Sequence, residues 1–225
     1  MSPHPWGSRA RPWPIPITAL DAYCAMRNGQ WGMTDDNLLA RLDGTAPPPE
    51  AATIGSAVHA GIERAMTLHR VVDAGPLDIR HPDYDIDVPL DVVVPRLHVV
   101  EQDIEWMLET AHGWIRLRGV VDGIAGATLI EWKTTRRAKL EHYQDSIQWR
   151  AYLAAMGEHY QAVQYHILPL SIRGGRRIQV TDHLVLTCHR YPQLTRDVRH
   201  IAGELAAWLD AMAWQPPPKR AMDIF

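Results

Sequence analysis

A mixed α/β fold, with a central mixed β-sheet flanked by helices and a helical extension at the N-terminal side, follows from three observations in the sequence. Stretches of helical periodicity and short β-branched runs succeed one another in the order helices, strands, helix, strands, helix. A hydrophobic content of 46% over 225 residues is enough to bury one substantial core. No repeat of fixed period is present, and the length favours one elaborated domain over 1–225. Within it, 1–50 reads as an arm with helices, 51–190 as the core, and 191–225 as a last helix and tail.

Residues 1–16, rich in proline and tryptophan, read as an irregular arm. Thr18 is placed to cap a helix reaching about Asn28, and Gly29 to end it. The prolines at 47–49 break the chain before a second helix, in which Ile54, Val58, Ile62, Ala65, Met66 and Leu68 recur at helical spacing from Ala51 to about Val72. Strands over 92–109 (broken in two), 115–124 and 128–134 form a meander. A helix over about 144–156, capped by Asp145 or Ser146, leads to strands near 161–170 and 177–187, joined through Arg173 and Arg176. The last helix, about 191–213, carries Leu194, Val198, Ile201, Leu205 and Trp208 on one stripe.

Composition narrows the chemistry. The net charge of -3 means that any contact with nucleic acid must come from local clusters of positive charge. Cys24 and Cys188 cannot supply the four thiolates of an iron–sulfur cluster, and a reduced, cytosolic setting is expected. The first residues lack a continuous apolar segment, and nowhere do about 18 apolar residues run together, so neither secretion nor membrane insertion is expected.

The stretch from Gly119 to Thr135 carries the chemistry. If Gly126-Ala127 is a two-residue hairpin loop, Ala125 pairs with Thr128 and Asp122 stands opposite Glu131. Opposed residues share a face with Cβ atoms about 5 Å apart, and Lys133, two residues on, shares it too. Two buried carboxylates repel, so a compensating cation is required. Lys133 neutralises one, and a divalent ion accounts for the other. Hard oxygen ligands completed by water suit magnesium or manganese, as one ion or two, which is the equipment for phosphodiester hydrolysis. Asp122 and Glu131 are then metal ligands, Lys133 orients the attacking water, and Ile130 or Trp132 either lends a backbone carbonyl or simply packs. The competing reading is a cross-strand ion pair on a solvated sheet face, worth under about 1 kcal/mol.

Two further features flank the hairpin. Gln148 and Tyr152 fall on one face of the following helix, and Gly55-Ser56-Ala57-Val58-His59 places an imidazole early in the preceding one, a turn before Glu63. The order Gly-x-x-x-His, Gly-x-x-Asp, Glu-x-Lys, Gln-x-x-x-Tyr over about 54–153 resembles the RecB-like branch of the PD-(D/E)XK nucleases. The resemblance implies a restriction-endonuclease-like core and a DNA nuclease, most often an exonuclease of phage or bacterial recombination and repair. It assigns His59, Asp122 and Glu131 to metal, Lys133 to catalysis, and Gln148 and Tyr152 to a supporting motif. Glu101 stands where relatives often carry a glutamate. The subgroup built on a four-cysteine iron–sulfur cluster is excluded by the cysteine count.

DNA is the expected partner, with a recombinase, a single-strand annealing protein or a helicase beside it, and a homo-oligomer is left open. Arg136, Arg137 and Lys139 follow Lys133 closely and are expected to meet phosphates, with Arg173, Arg176 and Arg177 a weaker second patch. Among the tryptophans, Trp6, Trp13 and Trp31 are candidates for stacking on bases, against the commoner use of such rings as core. A catalytically silent DNA-binding or scaffold subunit that retained the fold is the alternative function.

Overall fold

The computed structural model describes residues 6–30, 32–46, 50–69, 75–76, 79, 81–89, 91–173 and 176–217. In chain order the elements are β1 (Trp13–Pro16), α1 (Ile17–Arg27), α2 (Asp35–Leu42), α3 (Glu50–His69), β2 (Gly75–Pro76), β3 (Asp85–Asp87), β4 (Val93–Val94) and β5 (Val99–Thr110). They continue with β6 (Gly113–Ala125), β7 (Thr128–Thr135), α4 (Leu140–Asp145), α5 (Ile147–Met156), β8 (Ala162–Arg173), β9 (Arg177–Val180), β10 (Leu184–His189) and α6 (Leu194–Ala211). An eight-stranded mixed sheet runs β1-β6-β7-β8-β9-β3, with β5 on the other edge of β6 and β10 on β8. Helices cover both faces, giving the mixed α/β class the sequence predicts. No helix among the described residues is long and apolar enough to cross a membrane.

Two apolar clusters form the core, one on each face of the sheet. The first joins α1, α5 and α6 to Leu117, Val121, Leu129 and Tyr165. The second packs Ile54, Val58, Ile62, Ala65 and Met66 of α3 on Ile130 and Trp132 of β7. Alternation along β7 therefore sends Leu129 to one side and Ile130 and Trp132 to the other. Thr134 lies so close to α3 that a Cβ on Gly55 would come within 2.9 Å of its Oγ1, and glycine there permits the approach.

Several expectations need correction. Residues 13–16 are not an arm: Trp13 to Pro16 pair in parallel with Ile115 to Arg118, burying Trp13 and Ile15. Pro14 and Pro16 lack the N–H donors of a central strand, and the segment lies at the end of the path, where one pairing edge suffices. Trp13 is thereby core rather than a base-stacking ring, while Trp31 lies outside the described residues. The first helix starts at Ile17 behind Pro16 and has no side-chain cap, so Thr18 does not cap it. The predicted 144–156 helix is two, α4 and α5, meeting at Ser146, whose extended backbone (φ -55°, ψ 137°) interrupts the helix while its hydroxyl caps α5. The predicted 177–187 strand is also two, because β9 and β10 pair with different stretches of β8. The sequence reading missed α2, which opens on a capping box between Thr34 and Asn37.

Candidate active site

Strand β6 shares one of its edges between two partners. Strand β5 pairs along the opposite edge, leaving β1 to take 115–118 and β7 to take 123–125. The hairpin register is the expected one: Ala125 pairs with Thr128 and Gly123 with Ile130, and Gly126 closes the loop at φ +61°. The ladder stops at Gly123 and Ile130, one step short of the expected pairing of Asp122 with Glu131. The Trp132 N–H donates instead to Asp122 Oδ2 at 2.7 Å. On its other side Asp122 faces Glu101, whose backbone adopts φ +51°, so this pairing is also broken. The strands part where the carboxylates lie.

Helix α5 fills the gap. The Tyr152 hydroxyl donates to the Val120 carbonyl at 2.8 Å, and a Cβ on Gly119 would come within 3.1 Å of the Tyr152 ring. Glycine at 119 therefore lets the ring reach the strand. Gln148 Nε2 donates to Tyr152 Oη at 2.7 Å and to Glu131 Oε1 at 3.0 Å. Lys133 Nζ donates to the same Oε1 at 2.8 Å. Glu131 is only 4% exposed, and its second oxygen, Oε2, is buried with no hydrogen-bond partner. One oxygen thus receives two donors and the other none.

The electrostatics follow from burial. Burial raises the Glu131 carboxyl to about 7, with Asp122 adding to the shift and Lys133 opposing it. Burial likewise raises Asp122 to about 6 against the Trp132 N–H bond and Lys133, while Glu101 and Glu63 push it further up. For Lys133, burial opposes the charge, but Glu131, with Asp122 and Asp21 behind it, outweighs burial and holds its pKa above the ordinary value. His59 is lowered by burial and by Lys133; it hydrogen-bonds the backbone of Trp132 and also feels Glu131 and Glu63. Glu101 is raised by burial and by Glu63.

Of the residues singled out in the sequence, Glu131, Lys133, Gln148 and Tyr152 form one hydrogen-bonded network, with Asp122 beside it. His59 joins from the α3 side through the Trp132 backbone rather than by touching a carboxylate in the network. The donor set suits a hard divalent ion: two carboxylates stand at a break in the sheet, and one buried oxygen lacks any donor. Among the described residues no three His, Cys, Asp or Glu side chains gather tightly enough to surround an ion. Two carboxylates are nonetheless the usual complement for magnesium, which keeps several of its waters.

Arg136, Arg137 and Lys139 are exposed on the loop from β7 to α4. A cavity of about 250 Å³ opens beside them, lined by Ile54, Thr134, Thr135, Arg136, Leu170 and Ile172. Asp21 of α1 is a residue the sequence reading missed: it accepts bonds from Ser146 Oγ and the Ile147 N–H at the start of α5. Its partners lie more than a hundred positions away, and no local pattern announces them.

No family model matches the chain, and no curated protein matches it in sequence. Its fold is similar to that of SSO0001, known from a crystal structure, with a TM-score of 0.50 and 16% identity over 91% of this chain and 78% of that one. The alkaline exonuclease LHK-Exo from Laribacter hongkongensis aligns with a TM-score of 0.46 and 14% identity, over 89% of each chain. The same exonuclease in complex with dAMP aligns at 0.45 and 13%, over 88% of this chain and 89% of that one. At such identities a likeness is one of fold.

Proposed function

We propose that this chain is a single-domain, divalent-metal-dependent deoxyribonuclease, an exonuclease of phage or bacterial recombination or repair. The observation that carries the reading is Glu131: a buried carboxylate opposite a second one, with one oxygen held by Lys133 and Gln148 and the other unpartnered. A buried charge left half satisfied is costly in a purely structural role, and a surface ion pair does not describe it. The preference for DNA ends rests on the motif order, which resembles the RecB-like branch.

Asp122 and Glu131 would hold magnesium or manganese, with His59 within electrostatic reach. When bound, the ion lowers the pKa of a water and takes up negative charge on the phosphoryl oxygens. The chain's own residues do the rest. Gln148 and Lys133 fix Glu131 Oε1 and so keep Oε2 as the open oxygen. Tyr152 holds Gln148 in place by donating to β6 and accepting the amide. The Lys133 ammonium orients the attacking water and offsets charge developing on phosphorus. Arg136, Arg137 and Lys139 meet the backbone phosphates, a sequence-independent contribution.

The test incubates the protein with end-labelled linear and closed circular DNA in magnesium, manganese or EDTA, beside Asp122→Ala and Lys133→Ala. Degradation of linear DNA alone, dependent on the ion and reduced about a hundredfold or more in both variants, is expected. Binding of DNA or metal without turnover in wild type would replace catalysis with a binding or scaffold role. Cleavage indifferent to both substitutions would remove the site.

A further inference from the structure

Asp21 and Ser146 stand 125 positions apart, yet they meet at the first turn of α5. Asp21 Oδ2 accepts from Ser146 Oγ at 2.8 Å, and Oδ1 accepts from the Ile147 N–H at 2.7 Å. Ser146 is already the N-cap of α5, its Oγ accepting from the Gln148 N–H at 3.1 Å. That cap answers one of the four unpaired N–H groups at the start of the helix, and Asp21 answers a second from another element. A second, buried carboxylate carries a desolvation penalty that a serine does not. Burial indeed raises the Asp21 carboxyl, against its two hydrogen bonds and the charge of Lys133.

What the extra bonds fasten is the helix turn that delivers Gln148. Its Nε2 reaches Glu131 Oε1 at 3.0 Å and Tyr152 Oη at 2.7 Å, so a shift of this turn by about 1 Å would break one contact or the other. Gln148 joins Lys133 in holding Oε1, so its contact is one of the two that keep Oε2 the open oxygen. We propose that Asp21 is a positioning residue: by clamping the first turn of α5 to α1, it sets the contact of Gln148 with Glu131 and thereby the orientation of the Glu131 carboxylate. This rests on the reading of the site as a nuclease centre.

The inference is tested by Asp21→Asn, alone and with Gln148→Ala, and by Ser146→Ala, which removes one of the two bonds should Asp21→Asn fold poorly. The expected result is a kcat about tenfold or more below wild type with KM for DNA within about twofold, since a small misplacement costs rate rather than binding. In the Gln148→Ala background Asp21→Asn has little further effect, because the two act through one contact. A merely structural role predicts losses that multiply across the pair, and that result would overturn the inference. Hydrogen exchange in EDTA reads the same link without turnover: Asp21→Asn loosens Ile147–Trp149 while α6 is unchanged. Unaltered exchange at that turn also overturns it, even if wild type cleaves no DNA, an outcome that removes the nuclease reading separately.

Discussion

Glu131 and His166 are equally buried, each 4% exposed, and they lie on adjacent strands of one sheet, yet only one of them is satisfied. The His166 Nδ1 lies 2.9 Å from His183 Nε2, and its Nε2 lies 3.0 Å from Gln164 Oε1. Its ring packs on Trp132 with centroids 4.5 Å apart. Every polar atom of that imidazole has a partner, and a neutral ring suffices. Glu131, on the other face of the sheet, keeps one oxygen without a donor and feels the charge of a second carboxylate, Asp122. Burial alone therefore does not mark a functional residue. What sets Glu131 apart is burial with one carboxylate oxygen left without a donor.

Substitutions should separate the two clusters. Lys133→Ala or Glu131→Gln is expected to reduce cleavage by about a hundredfold or more and, because each leaves its buried partner uncompensated, also to lower the melting temperature in EDTA. His166→Ala should cost stability alone: a loss of about 2–4 kcal/mol in denaturant unfolding, from the cavity and the stranded partners, with kcat near wild type. A His166→Ala protein that folds well but has lost cleavage would dissolve the contrast.

Acid should act on the clusters with opposite sign. Burial and the neighbouring His183 lower His166 to about 4, so the unfolded chain takes up that proton near 6.5 while the folded protein does not. Its contribution is thus complete above about 6.5 and is lost as pH falls toward 4, by about 3 kcal/mol in full. Glu131, raised to about 7, binds its proton more readily folded than unfolded, so in metal-free protein it favours folding below about 4.5 and loses that advantage as pH rises to 7. Melting temperature against pH in EDTA should therefore fall more steeply on acidification in Glu131→Gln than in wild type. Identical profiles would mean that the Glu131 carboxyl is not shifted.

The hairpin register was legible because a glycine-first loop and the two-residue period of a strand leave one solution, which pairs Ala125 with Thr128 and Gly123 with Ile130. Gln148 and Tyr152 were legible because helical spacing puts them on one face. The parting of the strands was not, since it depends on a side chain, Asp122, taking the Trp132 N–H in place of the ladder. Strand β1 was hidden by its prolines, whose local meaning is a break and whose edge position only the fold reveals. Asp21 was hidden by distance along the chain.

The smallest effect is expected outside both clusters. Arg136→Ala or Lys139→Ala should weaken DNA binding on any sequence and lower the slope of log affinity against log salt by about one per charge, with single-turnover cleavage at saturating protein little changed. A change in sequence preference would assign them a different role.

The claim that the unanswered Glu131 oxygen awaits a divalent ion is most directly tested by titrating manganese into DNA-free protein at pH 8 and following binding by calorimetry or by the resonance of the free ion. The account predicts saturable binding in wild type that weakens about tenfold or more in Glu131→Gln and in Asp122→Ala, and that is unchanged in His166→Ala. Equal affinity in wild type and the carboxylate variants would contradict it.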